Sequence, residues 1–576
     1  MVLLKKITAA DAEVSCTGTF EYDGMAWFEL TIKPEKNINV DQLDLVMPVK
    51  AEIAQFIHYV GAPHTYESQD LVHNSFSKEL STKPGVIFTS GQKTMVWLGN
   101  NDRGLLWFSE SDKYWWPKDR GDAVTVSREK DSVVLKISVI TEKRSFTAGN
   151  PVTFAFGFMG TPVKPILDGW RGFTVTAQYD GFVGDTRGNH LIYWPDKWRW
   201  MMLDMDPTRA TNVSGLKKRL EMDLKDERTI IPYWTRLHFT RRDRQKVNPD
   251  LENMESWSTL PDAPHSSTVV MSRGATTSPW ADYLVWSIEE WAKVIGHNDG
   301  WYLDETQPIP NYRTESGGGY IDYSTNVRPT FEFFGSRDMM KRVTYNIWKR
   351  NNTRPVSVAH CSATHVMPYL STFEIMLIGE QYYIGYFQNR NPEFIPPEGE
   401  ELYYYSYSLP MDRLRAECYW KQWGEVMAFL PCLKAPSQRA IMTNSIPTRD
   451  MLSRVQQADM IVWPLFCASE EVHATWKFRR EFGISDAGVE FIPYWENKSI
   501  TTGDDQIVAG YYRNGNKYLV IVSNLHRAKK NVSLTFNGLN ISSIKNAENN
   551  NPLKQRGNVV SLEIARNDYT ALRINY

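Results

Sequence analysis

The chain contains 576 residues, which is more than one compact hydrophobic core usually serves, so we predict about two to four domains. Its 65 basic and 67 acidic residues leave a net charge of −2 and are interspersed, which argues against a nucleic-acid partner. No apolar run reaches the roughly 18 residues that a membrane-spanning helix needs, so we predict no membrane span. Aromatic residues make up 13% of the chain, which suits either core packing or stacking against sugar rings.

The five cysteines are scattered and form no C-x-x-C pair, so we predict neither a metal site nor a disulfide framework. The chain has no G-x-G-x-x-G or Walker loop, and we predict no cofactor. The first residues show no apolar stretch followed by a cleavage site. The protein is therefore expected to be cytoplasmic, or periplasmic or secreted if a signal peptide has been removed. The oligomeric state is left open.

Residues 1–165 contain short segments of β-branched and aromatic residues, separated by turn signals such as Asp-Gly and Gly-Asn. No long amphipathic helix is indicated in this part. The pattern predicts an N-terminal β-sandwich. Its strands include Val14–Tyr22, Ala26–Ile32 and Val133–Ile140.

Residues 166–500 alternate short apolar strands with longer helical stretches, which favours a central (β/α)8 TIM-type barrel. The predicted strands are His190–Trp194, Thr229–Thr235, Gly300–Leu303, Pro355–His360, Glu374–Gly379, Val426–Leu430 and Met460–Leu465. The predicted helices are Gly215–Lys225, Trp280–Ile295, Thr330–Lys349, Met411–Gly424 and Thr448–Gln457.

Residues 501–576 return to short strands with Asn and Gly turns between them, which predicts a small C-terminal β-sandwich. Its strands are Ile507–Tyr512, Lys517–Asn524, Asn531–Phe536 and Val559–Ile564.

Two adjacent acids, Asp304 and Glu305, end the apolar strand that begins at Gly300, and prolines follow soon after. In a barrel, side chains that perform chemistry emerge at the C-terminal ends of the strands. Glycoside hydrolysis needs an acid that protonates the leaving oxygen and a second group that stabilises the positive centre. We therefore predict that both residues are catalytic; the alternative is a turn-capping Asp304 beside a solvated Glu305.

A third acid, Glu380, follows the apolar strand that ends at Gly379. It is a candidate catalytic residue, and binding to substrate hydroxyls or a structural ion pair are the alternatives. His360 ends the strand between these two and is expected to contact a sugar hydroxyl or to orient a carboxylate, unless its role is structural. Trp234 is predicted to stack against a sugar ring, with core packing as the competing interpretation. Two tyrosines beside the acids, Tyr302 and Tyr382, complete the predicted substrate-binding set.

Several segments resemble the N-terminal region associated with glycoside hydrolase family 123. They are Trp97–Leu105, Phe108–Asp112 and Thr161–Pro165. The strand that ends in Asp304 and Glu305 is similar to the catalytic Asp-Glu pair of that family. The resemblance implies a β-sandwich, a central barrel and a C-terminal β-domain. It also implies a retaining β-N-acetylgalactosaminidase in which the 2-acetamido oxygen of the sugar attacks the anomeric carbon. Asp304 would then orient the acetamido group, and Glu305 would be the general acid/base.

Thr306 follows the acidic pair where that family is expected to have a proline. This departure keeps open a retaining glycosidase for a sugar without an acetamido group, with Asp304 or Glu305 as nucleophile and Glu380 as acid/base. The third possibility is a carbohydrate-binding protein without catalysis. The leading prediction is an exo-acting glycosidase, and each alternative implies an oligosaccharide or polysaccharide partner.

Overall fold

A computed structural model describes residues 2–9, 11–61, 75–116, 121–178, 188–193, 207, 213–235, 237–241, 254–259, 263–264, 269–322, 325–362, 364–382, 396–433, 443–538 and 541–575. Trp194, the last residue of one predicted strand, lies outside these residues.

The N-terminal part is built from antiparallel strands. They are β1 (Val2–Ala9), β2 (Ala12–Phe20), β3 (Met25–Pro34), β4 (Ile38–Val40), β5 (Leu43–Lys50), β6 (Phe56–Val60), β7 (Phe76–Glu79), β8 (Gly85–Ser90), β9 (Met95–Gly99), β10 (Gly104–Phe108), β11 (Val124–Arg128), β12 (Ser132–Ile140), β13 (Arg144–Phe146) and β14 (Val152–Thr161). In the described residues the larger sheet has the order β1-β2-β3-β14-β10-β9-β6-β7, and the second has the order β5-β12-β11-β8.

Strand β9 of the larger sheet is buried on both faces. Val96 and Leu98 point into the core between the two N-terminal sheets. Met95 and Trp97 alternate with them and belong to the core shared with the central part of the chain. This explains why β9 is apolar at successive positions, since a strand buried on both faces loses the usual alternation.

The central part forms a parallel sheet. Its strands are β15 (Val175–Gln178), β16 (His190–Tyr193), β17 (Thr229–Thr235), β21 (Gly300–Asp304), β24 (Val356–His360), β25 (Ile375–Ile378), β26 (Val426–Phe429) and β27 (Ile461–Val462). They are hydrogen-bonded in chain order within the described residues. The segments between them carry the short strands β18 (Leu237–Arg241), β19 (Ala263–Pro264), β20 (Val269–Arg273), β22 (Gly319–Ile321) and β23 (Val327–Pro329).

The inward-facing side chains of this sheet form one interior core. Val175 on the first strand and Ile461 on the last belong to the same cluster as Tyr302 and Val358 in the middle. Sequential parallel strands that enclose one core are the arrangement of a (β/α)8 barrel, which confirms the predicted architecture.

Helices cover the outside of the barrel. They are α1 (Val213–Lys225), α2 (Met254–Trp257), α3 (Trp280–Ile295), α4 (Phe333–Asn351), α5 (Met367–Leu370), α6 (Tyr405–Ser408), α7 (Met411–Cys418), α8 (Trp420–Trp423), α9 (Ser445–Val455) and α10 (Ser469–Phe482). The predicted helix Met411–Gly424 is interrupted because Tyr419 has an extended backbone. Among the described residues, no helix is long and apolar enough to cross a membrane.

The C-terminal part is again antiparallel. It contains β28 (Glu490–Ile492), β29 (Ile500–Thr501), β30 (Ile507–Asn514), β31 (Lys517–Asn524), β32 (Lys530–Phe536), β33 (Ser543–Asn546), β34 (Gln555–Arg556), β35 (Val559–Ile564) and β36 (Asp568–Asn575). Two sheets, in the orders β28-β30-β31-β36-β33 and β29-β32-β35-β34, enclose a separate apolar core. Because β28 pairs with β30, this part already begins at Glu490, before the predicted boundary at residue 501.

Candidate active site

The candidate site lies at the C-terminal ends of β21, β24 and β25. Leu303 pairs with Ala359, so Asp304 and His360, the next residues, lie at the same level of adjacent strands. Alternation along β21 places Asp304 on the same face as Tyr302, whose ring is in the interior core. Asp304 therefore points inward at the mouth of the barrel, where such folds carry their chemistry.

Asp304 accepts hydrogen bonds on both carboxylate oxygens. The Tyr233 hydroxyl donates to Oδ2 at 2.6 Å, and the Glu305 backbone N–H donates to Oδ1 at 2.8 Å. His360 Nδ1 lies 2.9 Å from Oδ1. Burial by itself would raise the pKa of Asp304, but the charge and hydrogen bond of His360 and the Tyr233 hydroxyl lower it below its ordinary value. Asp304 is thus held as a carboxylate.

Glu305 is half-buried and has a left-handed backbone, with φ of +59°. A non-glycine residue in this region is uncommon and is held there by its surroundings. The next residue fixes this backbone conformation, because the backbone N–H and the hydroxyl of Thr306 both donate to the His360 carbonyl, at 3.2 Å and 2.7 Å. The Glu305 carboxylate itself accepts a hydrogen bond from the Gln307 side chain.

His360 lies between two acids. Its Nδ1 contacts the Tyr302 hydroxyl at 2.7 Å as well as Asp304, and its Nε2 lies 3.3 Å from Glu380 Oε2. Burial opposes a charge on the imidazole, yet the negative charges of Asp304, Glu380 and Glu305 raise the pKa of His360 to about 9. The ring is therefore an imidazolium at neutral pH.

Glu380 begins a short 3-10 helix directly after β25 and keeps 22% of its side chain exposed. The Cys432 thiol lies 3.9 Å from its Oε1. The structure thus brings together Asp304, Glu305, Glu380 and His360, the four polar residues that the sequence indicated.

Two predicted sugar-binding residues are corrected by the structure. Trp234 is 1% exposed and packs outside the barrel interior, because its neighbour Tyr233 takes the inward position. Tyr382 is fully buried, and its hydroxyl donates a hydrogen bond to Glu417 Oε1 at 2.9 Å. Tyr302 does lie at the site, but it is 2% exposed, and its hydroxyl contacts His360 Nδ1 at 2.7 Å.

Sequence reasoning missed Tyr233, which donates to Asp304. The strand Thr229–Thr235 was recognised, but a shift of one residue along a strand exchanges the inward and outward faces. The pairing of the parallel strands is what indicates which residues of Thr229–Thr235 face inward. Tyr233 pairs with Tyr302, two residues before Asp304, so the two tyrosines share one layer below the acid.

Two family models match the chain, one on each side of the barrel. The third domain of glycoside hydrolase 123 matches residues 4–162, and the C-terminal domain of glycoside hydrolase 123 matches residues 471–554. The resemblance seen in the sequence is thereby confirmed. The candidate acids lie between the two matched regions. A comparison with curated proteins finds no match to the chain.

Solved structures with a similar course of the chain include three carbohydrate-acting enzymes. The α-amylase AmyB from Thermotoga neapolitana is 11% identical, covers 70% of this chain and 99% of its own, and has a TM-score of 0.44. The trehalose-6-phosphate hydrolase TreA from Bacillus licheniformis is 8% identical, covers 71% of this chain and 100% of its own, and has a TM-score of 0.45. A debranching enzyme from Nostoc punctiforme is 12% identical, covers 72% of this chain and 100% of its own, and has a TM-score of 0.41.

Proposed function

We propose that this glycoside hydrolase, whose flanking β-rich regions match domains of family 123, is a retaining, exo-acting enzyme. It would remove β-linked N-acetylgalactosamine by substrate-assisted catalysis. The observation that carries this proposal is the ionised Asp304, held inward at the barrel mouth beside the half-buried Glu305.

Asp304 has the right hydrogen-bonding capacity to orient an acetamido group. A carboxylate offers about four acceptor positions. Three donors, from Tyr233, Glu305 and His360, occupy one position on Oδ2 and two on Oδ1. Among the described residues, these donors leave one position on Oδ2 for the N–H of the sugar's 2-acetamido group. Accepting that hydrogen bond polarises the amide and increases the nucleophilicity of its oxygen towards the anomeric carbon.

Glu305 would be the general acid/base. It would first protonate the glycosidic oxygen as the bond to the anomeric carbon breaks, and an oxazolinium intermediate would form by attack of the acetamido oxygen. Glu305 would then deprotonate the water that opens this intermediate, which restores the acid and retains the anomeric configuration. The imidazolium of His360 would keep Asp304 ionised through both steps.

One observation favours a second candidate. Because His360 lies 3.3 Å from Glu380 as well as 2.9 Å from Asp304, Glu380 belongs to the same group of charges. In this candidate the sugar lacks an acetamido group, Asp304 or Glu305 is the nucleophile of a covalent intermediate, and Glu380 is the acid/base.

The first test is Glu305→Gln, assayed on aryl β-N-acetylgalactosaminides. We expect kcat to fall by roughly a thousandfold or more with the fold unchanged, because the acid that protonates the leaving group is lost. The control is Glu315→Gln, since Glu315 lies in the same connection between β21 and β22, its side chain is 63% exposed, and its carboxylate pairs with Arg313 Nη1 at 3.2 Å. Near-wild-type turnover by the Glu305 variant would contradict the assignment of Glu305 as the general acid/base.

The second test separates the two candidates. A thiazoline mimic of the oxazolinium intermediate should inhibit tightly if the acetamido group takes part. Weak inhibition, together with azide rescue of an Asp304 variant and a glycosyl azide product, would favour the covalent route.

A further inference from the structure

Gln381 lies directly behind Glu380, and its buried side chain connects the turn at the end of β25 to an internal acid, Glu417. We propose that Gln381 is a positioning residue that sets the place of Glu380 and, through Glu380, the charge state of His360. The inference rests on the proposed function only in taking Asp304, which His360 holds ionised, as part of the reacting group.

The turn before Glu380 allows only one backbone course. Gly379 has φ of +126°, and a Cβ at this position would lie 2.2 Å from the Leu430 carbonyl oxygen. Only glycine tolerates this combination. The Gly379 N–H, which β26 does not pair, donates to Gln381 Oε1 at 2.7 Å. The side chain of Gln381 therefore closes the turn from which Glu380 projects.

The other end of Gln381 is anchored as firmly. Its Nε2 donates to Glu417 Oε1 at 2.9 Å, and the Tyr382 hydroxyl donates to the same oxygen at 2.9 Å. Arg413 Nε lies 3.5 Å from the second carboxylate oxygen. Gln381 and Glu417 are 1% and 0% exposed. Since a carboxylate only accepts hydrogen bonds, the amide nitrogen must face Glu417 and the amide oxygen must face Gly379.

The position of Glu380 has a direct effect on the imidazolium. In the part of the chain that the structure describes, the polar groups that face His360 are Asp304, Glu305 and Tyr302 from the end of β21, and Glu380 from the end of β25. Glu380 is the acid on the Nε2 side, and its charge is one of those that favour the protonated ring. If the turn loosens, Glu380 moves away from Nε2, and the ring loses its proton more readily.

The experiment compares two buried glutamines of the full-length protein, Gln381→Met and Gln422→Met. Gln422 is 0% exposed and donates to the Ala416 carbonyl at 2.9 Å, so it controls for the loss of a buried amide. We expect Q381M to lower kcat on the order of tenfold with KM nearly unchanged, because a displaced Glu380 supports the His360 imidazolium less and His360 then holds Asp304 less firmly as a carboxylate. His360 should also titrate at lower pH in Q381M, followed by NMR of the imidazole. Q422M should change neither quantity.

If Q381M lowers only the melting temperature, as Q422M does, Gln381 is a structural residue and the proposal is overturned. If Q381M does not fold, Gln381→Glu replaces it. This nearly isosteric change keeps the acceptor for Gly379 but sets two carboxylates against each other. We expect lost activity in Q381E and its recovery in the double variant Q381E/E417Q, where an amide donor again faces a carboxylate and the total charge is restored. Absence of recovery with an intact fold would also overturn the proposal.

The titration of His360 needs no substrate, so it separates this inference from the proposed function. Wild-type protein that leaves β-N-acetylgalactosaminides intact while Q381M still shifts the His360 titration would reject the substrate and keep the positioning role. The reverse result would reject Gln381 and keep the substrate.

Discussion

The two ends of the barrel carry the same kinds of charged residues and use them differently. At the mouth, Asp304 and Glu380 flank His360, and 27% and 22% of the two acidic side chains stay exposed. At the opposite end, Glu374 precedes β25 and Glu425 precedes β26, with 6% and 0% of their side chains exposed.

Two cations, Lys164 and Arg354, pair with the acids at the end opposite the mouth, which we call the closed end. Lys164 lies 3.7 Å from Glu374 and 3.5 Å from Glu425, and it donates to backbone carbonyls at the end of α5, at 3.0 Å to Ser371. Arg354 Nε donates to Glu374 at 2.6 Å. Since Lys164 belongs to the segment that leaves the N-terminal sheets, this cluster fastens that segment to the barrel.

The comparison shows that two properties distinguish the acids at the mouth from the acids at the opposite end. These are the exposed fraction of the side chain and the cations that pair with it. Acids that are sealed from water and matched by Lys164 and Arg354 have no room for a substrate. The acids at the mouth share one imidazolium and keep exposed surface. Conservative changes at the two ends should therefore separate into losses of activity and losses of stability.

The largest effect is expected for Asp304→Asn, compared with Glu374→Gln at the closed end. Loss of the carboxylate removes the group that orients the acetamido N–H, and kcat should fall roughly a thousandfold. Glu374→Gln should leave kcat within about twofold, because it touches no part of the mouth, and should lower the melting temperature instead. Equal losses of kcat in the two variants would contradict the division between the ends.

The second prediction concerns Lys164→Met. Removing this cation takes an ion pair from Glu374 and a charged hydrogen-bond donor from the Ser371 carbonyl, and the free energy of unfolding should fall by about 3 kcal/mol. Lys421→Met is the control, because Lys421 pairs with Asp102 where both side chains are nearly half exposed, and this substitution should cost less than about 1 kcal/mol. Denaturant unfolding of both variants measures the difference; similar values would show that Lys164 is no anchor.

The third prediction is a pH effect at the mouth. The pKa of His360 is raised to about 9, so the stability from its positive charge is fully present below about pH 6.5 and is lost as pH rises through about 9. His360→Gln should therefore be less stable than wild type at pH 6 and approach it above pH 9. It should also move the acidic limb of kcat/KM to higher pH, because Asp304 loses the charge that keeps its pKa low. An unshifted acidic limb would show that His360 does not act on Asp304.

The smallest effect is expected for Glu425→Gln. Burial raises the pKa of Glu425 to about 8, above the roughly 4.3 of an unfolded chain. A raised carboxyl pKa means that folded protein binds the extra proton between these values, so wild-type stability falls as pH rises through that window. The variant should match wild type within about 1 kcal/mol near pH 5 and be relatively more stable at pH 8.5. A constant difference across pH would contradict the buried, protonated Glu425.

Much of the barrel could be predicted because its strands are short apolar runs between turn signals. Thr229–Thr235 was predicted with the bounds observed, and so was the helix Trp280–Ile295. The first barrel strand, Val175–Gln178, was missed because four residues are too few to show a period. The helix predicted over Met411–Gly424 breaks at Tyr419, since tertiary packing overrides local helix preference there.

By itself, the sequence determined that Asp304 and Glu305 end a barrel strand and that Glu380 ends a neighbouring one, because a run of apolar residues closed by acids is a local pattern. Only the tertiary structure decided that Tyr233 faces inward in place of Trp234, that His360 joins Asp304 to Glu380, and that Gln381 closes the turn beneath Glu380. These relations depend on register between strands and on contacts between distant residues, which no local pattern records.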